Sequence, residues 1–145
     1  MNAWMTVEER ESFLAGTRIG VLSVAEGEVP LSVPIWYGYE PGGDIRISTP
    51  EGSRKLRAVR AAGQAGFTVQ QEAMPYRYVS VEGSVAGYEA TDPAEYLEWS
   101  IRYLGDDDGR RFFQAIEEGL SGWVTVRLRP GKWRTYDFGK EFTTG

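Results

Sequence analysis

The residues best suited to chemistry lie in one run, Arg46-Ile-Ser-Thr-Pro-Glu-Gly-Ser-Arg-Lys-Leu-Arg57. Ile45 and Ile47 alternate with Asp44, Arg46 and Ser48, the period-two pattern of a strand. Pro50 and Gly52 break it, and a helical run follows from Ser53 to Ala62, carrying Arg54, Lys55, Arg57 and Arg60. A strand that ends in hydroxyls and feeds a cation-rich helix start can hold an oxyanion. Free N–H groups and the positive end of the helix dipole attract a phosphate, and Arg54 and Lys55 add charge. The same spacing also suits an amphipathic helix whose cations only solvate one face, and the pattern leaves both readings open.

Two absences narrow the chemistry. The chain has no histidine, which removes Ser-His-Asp and Cys-His nucleophile systems and the usual neutral-pH general base. It has no cysteine, which removes disulfides and thiolate chemistry. Asp106-Asp107-Asp108-Gly109 lacks the oxygen-ligand spacing of an EF-hand, so no metal site is expected. Redox or group-transfer catalysis near pH 7 would therefore rest on a bound cofactor. The formal net charge of −5 argues against a nucleic-acid binder. No apolar run approaches a membrane span and no leader is read, so a soluble cytoplasmic protein is expected.

The elements that must position this run follow from local signals. At 145 residues, with 41% hydrophobic residues, the chain suits a single domain over 1–145 with a real core. Thr6-Val-Glu-Glu9 is a capping box opening a short helix with Val7, Phe13 and Leu14 on its apolar face and a stop at Gly16. Strands are expected over Arg18–Val24 and Val29–Tyr39, joined by the turn Glu26-Gly27-Glu28. Pro30 and Pro34 put the second of these at an edge or bulge, with unpaired backbone around Val33, Ile35 and Trp36 free to bond a planar ligand. Further strands are expected at Ile45–Thr49, Gly66–Gln71 and Tyr76–Tyr88, the last bent at Gly83. Asp92-Pro93 caps a helix that carries Tyr96, Trp99 and Tyr103. Asp106 to Gly109 is read as a break before a helix over 110–118. Two last strands, Trp123–Leu128 and Lys132–Phe138, are read as turning at Arg129-Pro130-Gly131. Runs of strands without regular helical crossovers favour an antiparallel barrel with helices outside it.

In this order of elements the chain resembles the pyridoxamine 5'-phosphate oxidase-like superfamily of flavin- and deazaflavin-binding split β-barrels, over about positions 6 to 138. Ser48-Thr49 followed by Ser53-Arg54-Lys55 carries most of the likeness, and Val81-Glu82-Gly83 and Arg127-Leu-Arg-Pro-x-x-Trp133 add to it. The resemblance implies a mainly β fold with peripheral helices, an FMN-binding split barrel, and a homodimer with cofactor at the interface. It implies that Ser48 and Thr49 bond the ribityl-phosphate region, that Ser53, Arg54 and Lys55 hold the phosphate, and that backbone at Val33, Pro34, Ile35 and Trp36 lines the ring. Trp133 is read either as a cap on a partner subunit's cofactor or as an interface anchor with no cofactor role. FMN is the first expectation and the deazaflavin coenzyme F-420 the alternative, serving hydride transfer with a small organic substrate. A non-catalytic dimer that binds a flavin or haem-type ligand is the reading from another class. Ser32-Val-Pro-Ile-Trp-Tyr37 lacks the second-strand Arg and Lys of the oxidase that names the family, and Trp133-Arg-Thr-Tyr136 lacks its Arg-x-His. Both departures argue against vitamin B6 oxidation. No catalytic residue is assigned.

Overall fold

Local capping fixes the first helix. In the computed structural model, which describes residues 3–142, α1 spans Val7–Leu14. Both halves of the capping box are formed: Glu9 N–H donates to Thr6 Oγ1 at 3.1 Å, and Thr6 N–H donates to Glu9 Oε1 at 2.8 Å. Phe13 and Leu14 are buried, whereas Val7 is half exposed and does not join the core as its spacing suggested. The helix meets the barrel through Phe13 and Leu14 of its last turn and through Arg10, which lies over the Trp133 ring.

The strands are β1 (Gly20–Val24), β2 (Leu31–Ile35), β3 (Ile45–Pro50), β4 (Gln64–Gln71), β5 (Arg77–Ala90) and β6 (Trp123–Asp137). They form one antiparallel sheet in the order β2-β1-β4-β5-β6-β3, curled into a split barrel whose lips are β2 and β3. Alternate residues point inward, so Leu22, Val24, Ile45, Ile47, Phe67, Val69, Val79, Val81, Val126 and Leu128 fill the interior. The proline-bearing β2 lies at an edge, where a missing N–H costs no ladder bond. Beyond it, Gly38 and Arg46 exchange two backbone bonds of 2.9 Å, which draws the lips together at one point.

Helix α2 (Arg54–Ala62) packs against both lips and against β1 and β4, covering the split. Its apolar face, Leu56, Ala58 and Val59, is buried. Gly63 ends it in the left-handed region at φ 70°, which a side chain would strain.

Two sequence expectations are corrected. Arg129-Pro130-Gly131 is no reversing turn: β6 runs unbroken through it, so the strands among the described residues number six rather than seven. Lys132 faces Glu82 and Pro130 faces Gly83, leaving Gly131 as an extra residue, a bulge that absorbs the proline within the ladder. The bend expected at Gly83 falls at this same irregularity. Nor is Asp106-Asp107-Asp108-Gly109 a break, because α4 (Asp106–Ile116) begins on it. Three carboxylates in a first turn complement the helix dipole. α4 folds back on α3 (Pro93–Leu104), and the pair encloses a second core of Tyr96, Trp99, Phe113 and Leu120.

Tyr37 joins α1 to the barrel. Its buried hydroxyl donates to Leu14 O at 2.6 Å, and burial pushes its pKa well above the ordinary tyrosine value. Tyr39 and Tyr96 are also raised by burial. Because the folded state holds these protons more tightly, their contribution to stability is complete below pH ~10 and declines above it as the unfolded chain ionises. Urea denaturation midpoints should therefore fall above about pH 10. Tyr37→Phe should be less stable at neutral pH but lose less on alkalisation.

Candidate functional site

At the end of β3 the chain makes a tight turn, with Ser53 N–H donating to Pro50 O at 3.0 Å. Ser53 then caps α2, its Oγ accepting from Leu56 N at 3.2 Å and from the Thr49 hydroxyl at 2.8 Å. As the first two residues of the helix, Arg54 and Lys55 present amides that have no intrahelical acceptor. Ser48, Thr49, Ser53, Arg54 and Lys55 are thus brought together as the sequence suggested.

Their side chains are not equally available. Ser48 is buried and bonded to Thr125 Oγ1 at 2.7 Å, which in turn lies 3.0 Å from Thr91 Oγ1. Thr49 is buried with its hydroxyl committed to Ser53. Arg54 grips Glu26 with both Nε and Nη2. Arg57 donates to Gly52 O at 2.7 Å, and Arg60 pairs with Glu51. Of the four cations on α2, only Lys55 has no ion pair or hydrogen bond to its side chain among the described residues.

Glu26 was not picked out from sequence, where it is simply a turn residue 28 positions from Arg54. Arg54 holds its carboxyl below the usual carboxylate range. An incoming phosphate must compete with Glu26 for this guanidinium, so Glu26→Gln should tighten phosphate-bearing ligands by about threefold, the modest scale of exposed ion pairs. Fluorescence titration of the variant beside the parent chain checks this.

The other expected residues lie elsewhere. Val33, Pro34 and Ile35 form edge strand β2, paired to β1 on one side and, among the described residues, without a strand partner on the other. The Trp36 ring turns to the helices, stacked on Tyr103 at 4.9 Å and 4° and edge-on to Phe112 at 5.6 Å. That leaves its backbone, rather than its indole, for a ligand beside β2. Trp133 stands eight residues beyond Thr125 on β6, roughly 25 Å along the strand from the residue opposite Ser48, at the end of the sheet where α2 starts. It packs on the barrel core beneath Arg10, whose guanidinium lies 4.4 Å from the ring centre. Among the described residues, no cluster of three or more His, Cys, Asp or Glu could hold a metal.

Fold and geometry together describe a split-barrel protein in which β3 ends at the capped start of a cation-bearing helix. The chain belongs to the pyridoxamine 5'-phosphate oxidase family, whose signature it matches over residues 6–133. Among solved structures, an F420 reductase is similar at 24% identity and a TM-score of 0.68, over 86% of this chain and 94% of the other. A conserved hypothetical protein of Mycobacterium tuberculosis is similar at 21% identity and a TM-score of 0.77, over 100% of this chain and 93% of that one. An FAD and heme binding protein of Mycobacterium smegmatis is similar at 17% identity and a TM-score of 0.66, covering 94% and 73%. At such identities the likeness is one of fold. No curated protein matches significantly.

Proposed function

We propose that this protein is a cytoplasmic flavin- or deazaflavin-binding oxidoreductase, working as a homodimer. FMN is the first candidate cofactor and coenzyme F-420 the second. The observation that carries this reading is Lys55: an unengaged cation beside two open helix amides, in a chain of this family. These groups fit a phosphate, which both cofactors present. Proteins of similar fold include an F420 reductase and an FAD and heme binding protein, so both candidates are kept.

In this reading Lys55 and the amides of Arg54 and Lys55 take the phosphate, and Arg54 joins when it leaves Glu26. Ser48 and Thr49 act mainly by fixing the strand end and the cap, since their hydroxyls are already bonded inward. The open edge of β2 offers backbone N–H and C=O groups to a flat ring edge. The cofactor, when bound, supplies hydride transfer, and the protein's part is anchoring, orientation and exclusion of water. Trp133, eight residues along β6 from Thr125, would reach the partner's cofactor in the dimer.

Titration of the purified protein with FMN and with F-420, followed by fluorescence, tests the reading. Micromolar or tighter binding of one of them is expected, with a dimer in sedimentation velocity. Binding of neither overturns the cofactor reading, and a cofactor-binding monomer overturns the shared site.

A further inference from the structure

Two arginines at the other end of the barrel make no ion pair within 4.0 Å among the described residues. The guanidinium carbons of Arg18 and Arg77 lie 3.9 Å and 5.0 Å from the centre of the same Phe13 ring. Their Nη2 groups converge on one neutral acceptor, Gln71 Oε1, at 3.4 Å and 2.5 Å. Arg77 Nε is closed off from solvent and has no hydrogen-bond partner. Burial, and then the charge of Arg77, pull the pKa of Arg18 down.

Holding like charges together in a partly desolvated site is costly unless an anion joins them. Both arginines line a cleft of about 440 Å³, ample for a small organic molecule. Glu8, Glu9 and Asp137 line it too, so a doubly charged anion meets repulsion. Two of these carboxylates are occupied: Glu9 is 2.6 Å from Lys140 Nζ, and Asp137 Oδ1 accepts the Gly139 amide at 2.9 Å. We propose that this cleft is a binding site for a small organic monocarboxylate, whose oxygens are gripped jointly by Arg18 and Arg77. The site is separate from the phosphate cradle. Arg18 lies just before the first residue of β1, whereas Glu26, which holds Arg54, lies just beyond its last.

Sodium butyrate serves as the probe, titrated into the full-length ¹⁵N-labelled protein against sodium chloride at matched ionic strength. The Arg77 Nε–H resonance, assigned with Arg77→Lys, should shift saturably with butyrate and not with chloride. Arg18→Gln should weaken butyrate at least tenfold, the scale of a lost hydrogen bond to a charged group. Gln71→Glu supplies the missing charge from within. It should abolish butyrate binding, at the cost of the bonds that Gln71 Nε2 gives to Ala73 O and Pro75 O. This keeps the test decisive if Arg18→Gln fails to fold. A resonance that follows ionic strength alone overturns the proposal, as does butyrate binding unchanged in Gln71→Glu. Neither result bears on FMN or F-420 at α2.

Discussion

Lys55→Ala is expected to weaken FMN or F-420 binding by about 1.5–3 kcal/mol, the range for a hydrogen bond to a charged group. That is a loss of roughly ten- to a hundredfold in affinity. The effect is large because the neighbouring cations do not readily substitute: Arg57 and Arg60 are held by Gly52 and Glu51, and Arg54 by Glu26. The thermal midpoint of the ligand-free variant should be nearly unchanged, since Lys55 holds nothing in the fold. Lys55→Arg should keep most of the affinity, because charge at the helix start is what matters there. Equal affinity of Lys55→Ala and the parent chain, measured by fluorescence titration, would remove α2 as the phosphate site.

The largest effect on stability is expected at Gly109. A Cβ there would stand 2.5 Å from Ile101 Cα and 2.6 Å from Ile101 N and Ser100 O. These are backbone atoms of α3 and cannot rotate aside, so α3 and α4 must separate. Gly109→Ala should cost about 3 kcal/mol, at the upper end of ordinary overpacking. For a chain of this size that lowers the thermal midpoint by roughly 10 °C. Trp36 stacks against α3 and α4, so its fluorescence should change in the folded variant as well. Calorimetry checks the first result and emission spectra the second. A variant as stable as the parent chain would show that the two helices have room to yield.

The sequence was most informative where a short segment decides its own structure. The capping box at Thr6 and Glu9, the helical run after Pro50 and Gly52 that ends at Ala62, and the Asp92-Pro93 start all formed where local spacing put them. The place of β2 was narrowed as well, because a proline's missing donor confines a strand to an edge or a bulge, and β2 took the edge. Distant partners overruled the rest. Arg129-Pro130-Gly131 has the composition of a turn, but pairing with β5 on both sides of it carries β6 straight through. Asp106 to Asp108 has the look of a break, yet acidic residues favour a helix start once α3 offers a surface to pack on. The candidate site was legible as a cluster and illegible as an inventory of free groups. Arg54 is taken by a residue 28 positions earlier, and Ser48 by one 77 positions later. The indole of Trp36 is claimed by helices that begin more than fifty residues on.

The buried hydroxyls of Ser48, Thr125 and Thr91 have a consequence beyond the site. β3 meets β6 through Ser48 opposite Thr125, with apolar Ile47 and Val126 beside them. Sliding β3 by one residue would set Ile47 or Thr49 against Thr125 and turn every side chain of the strand to its other face. The Thr125 hydroxyl would then lose Ser48 in a place water does not reach, while an apolar pair would have tolerated the slip better. The three hydroxyls act as a key that admits one alignment of the last strand to close the sheet. That alignment sets where the strand ends, and so where the helix that follows begins.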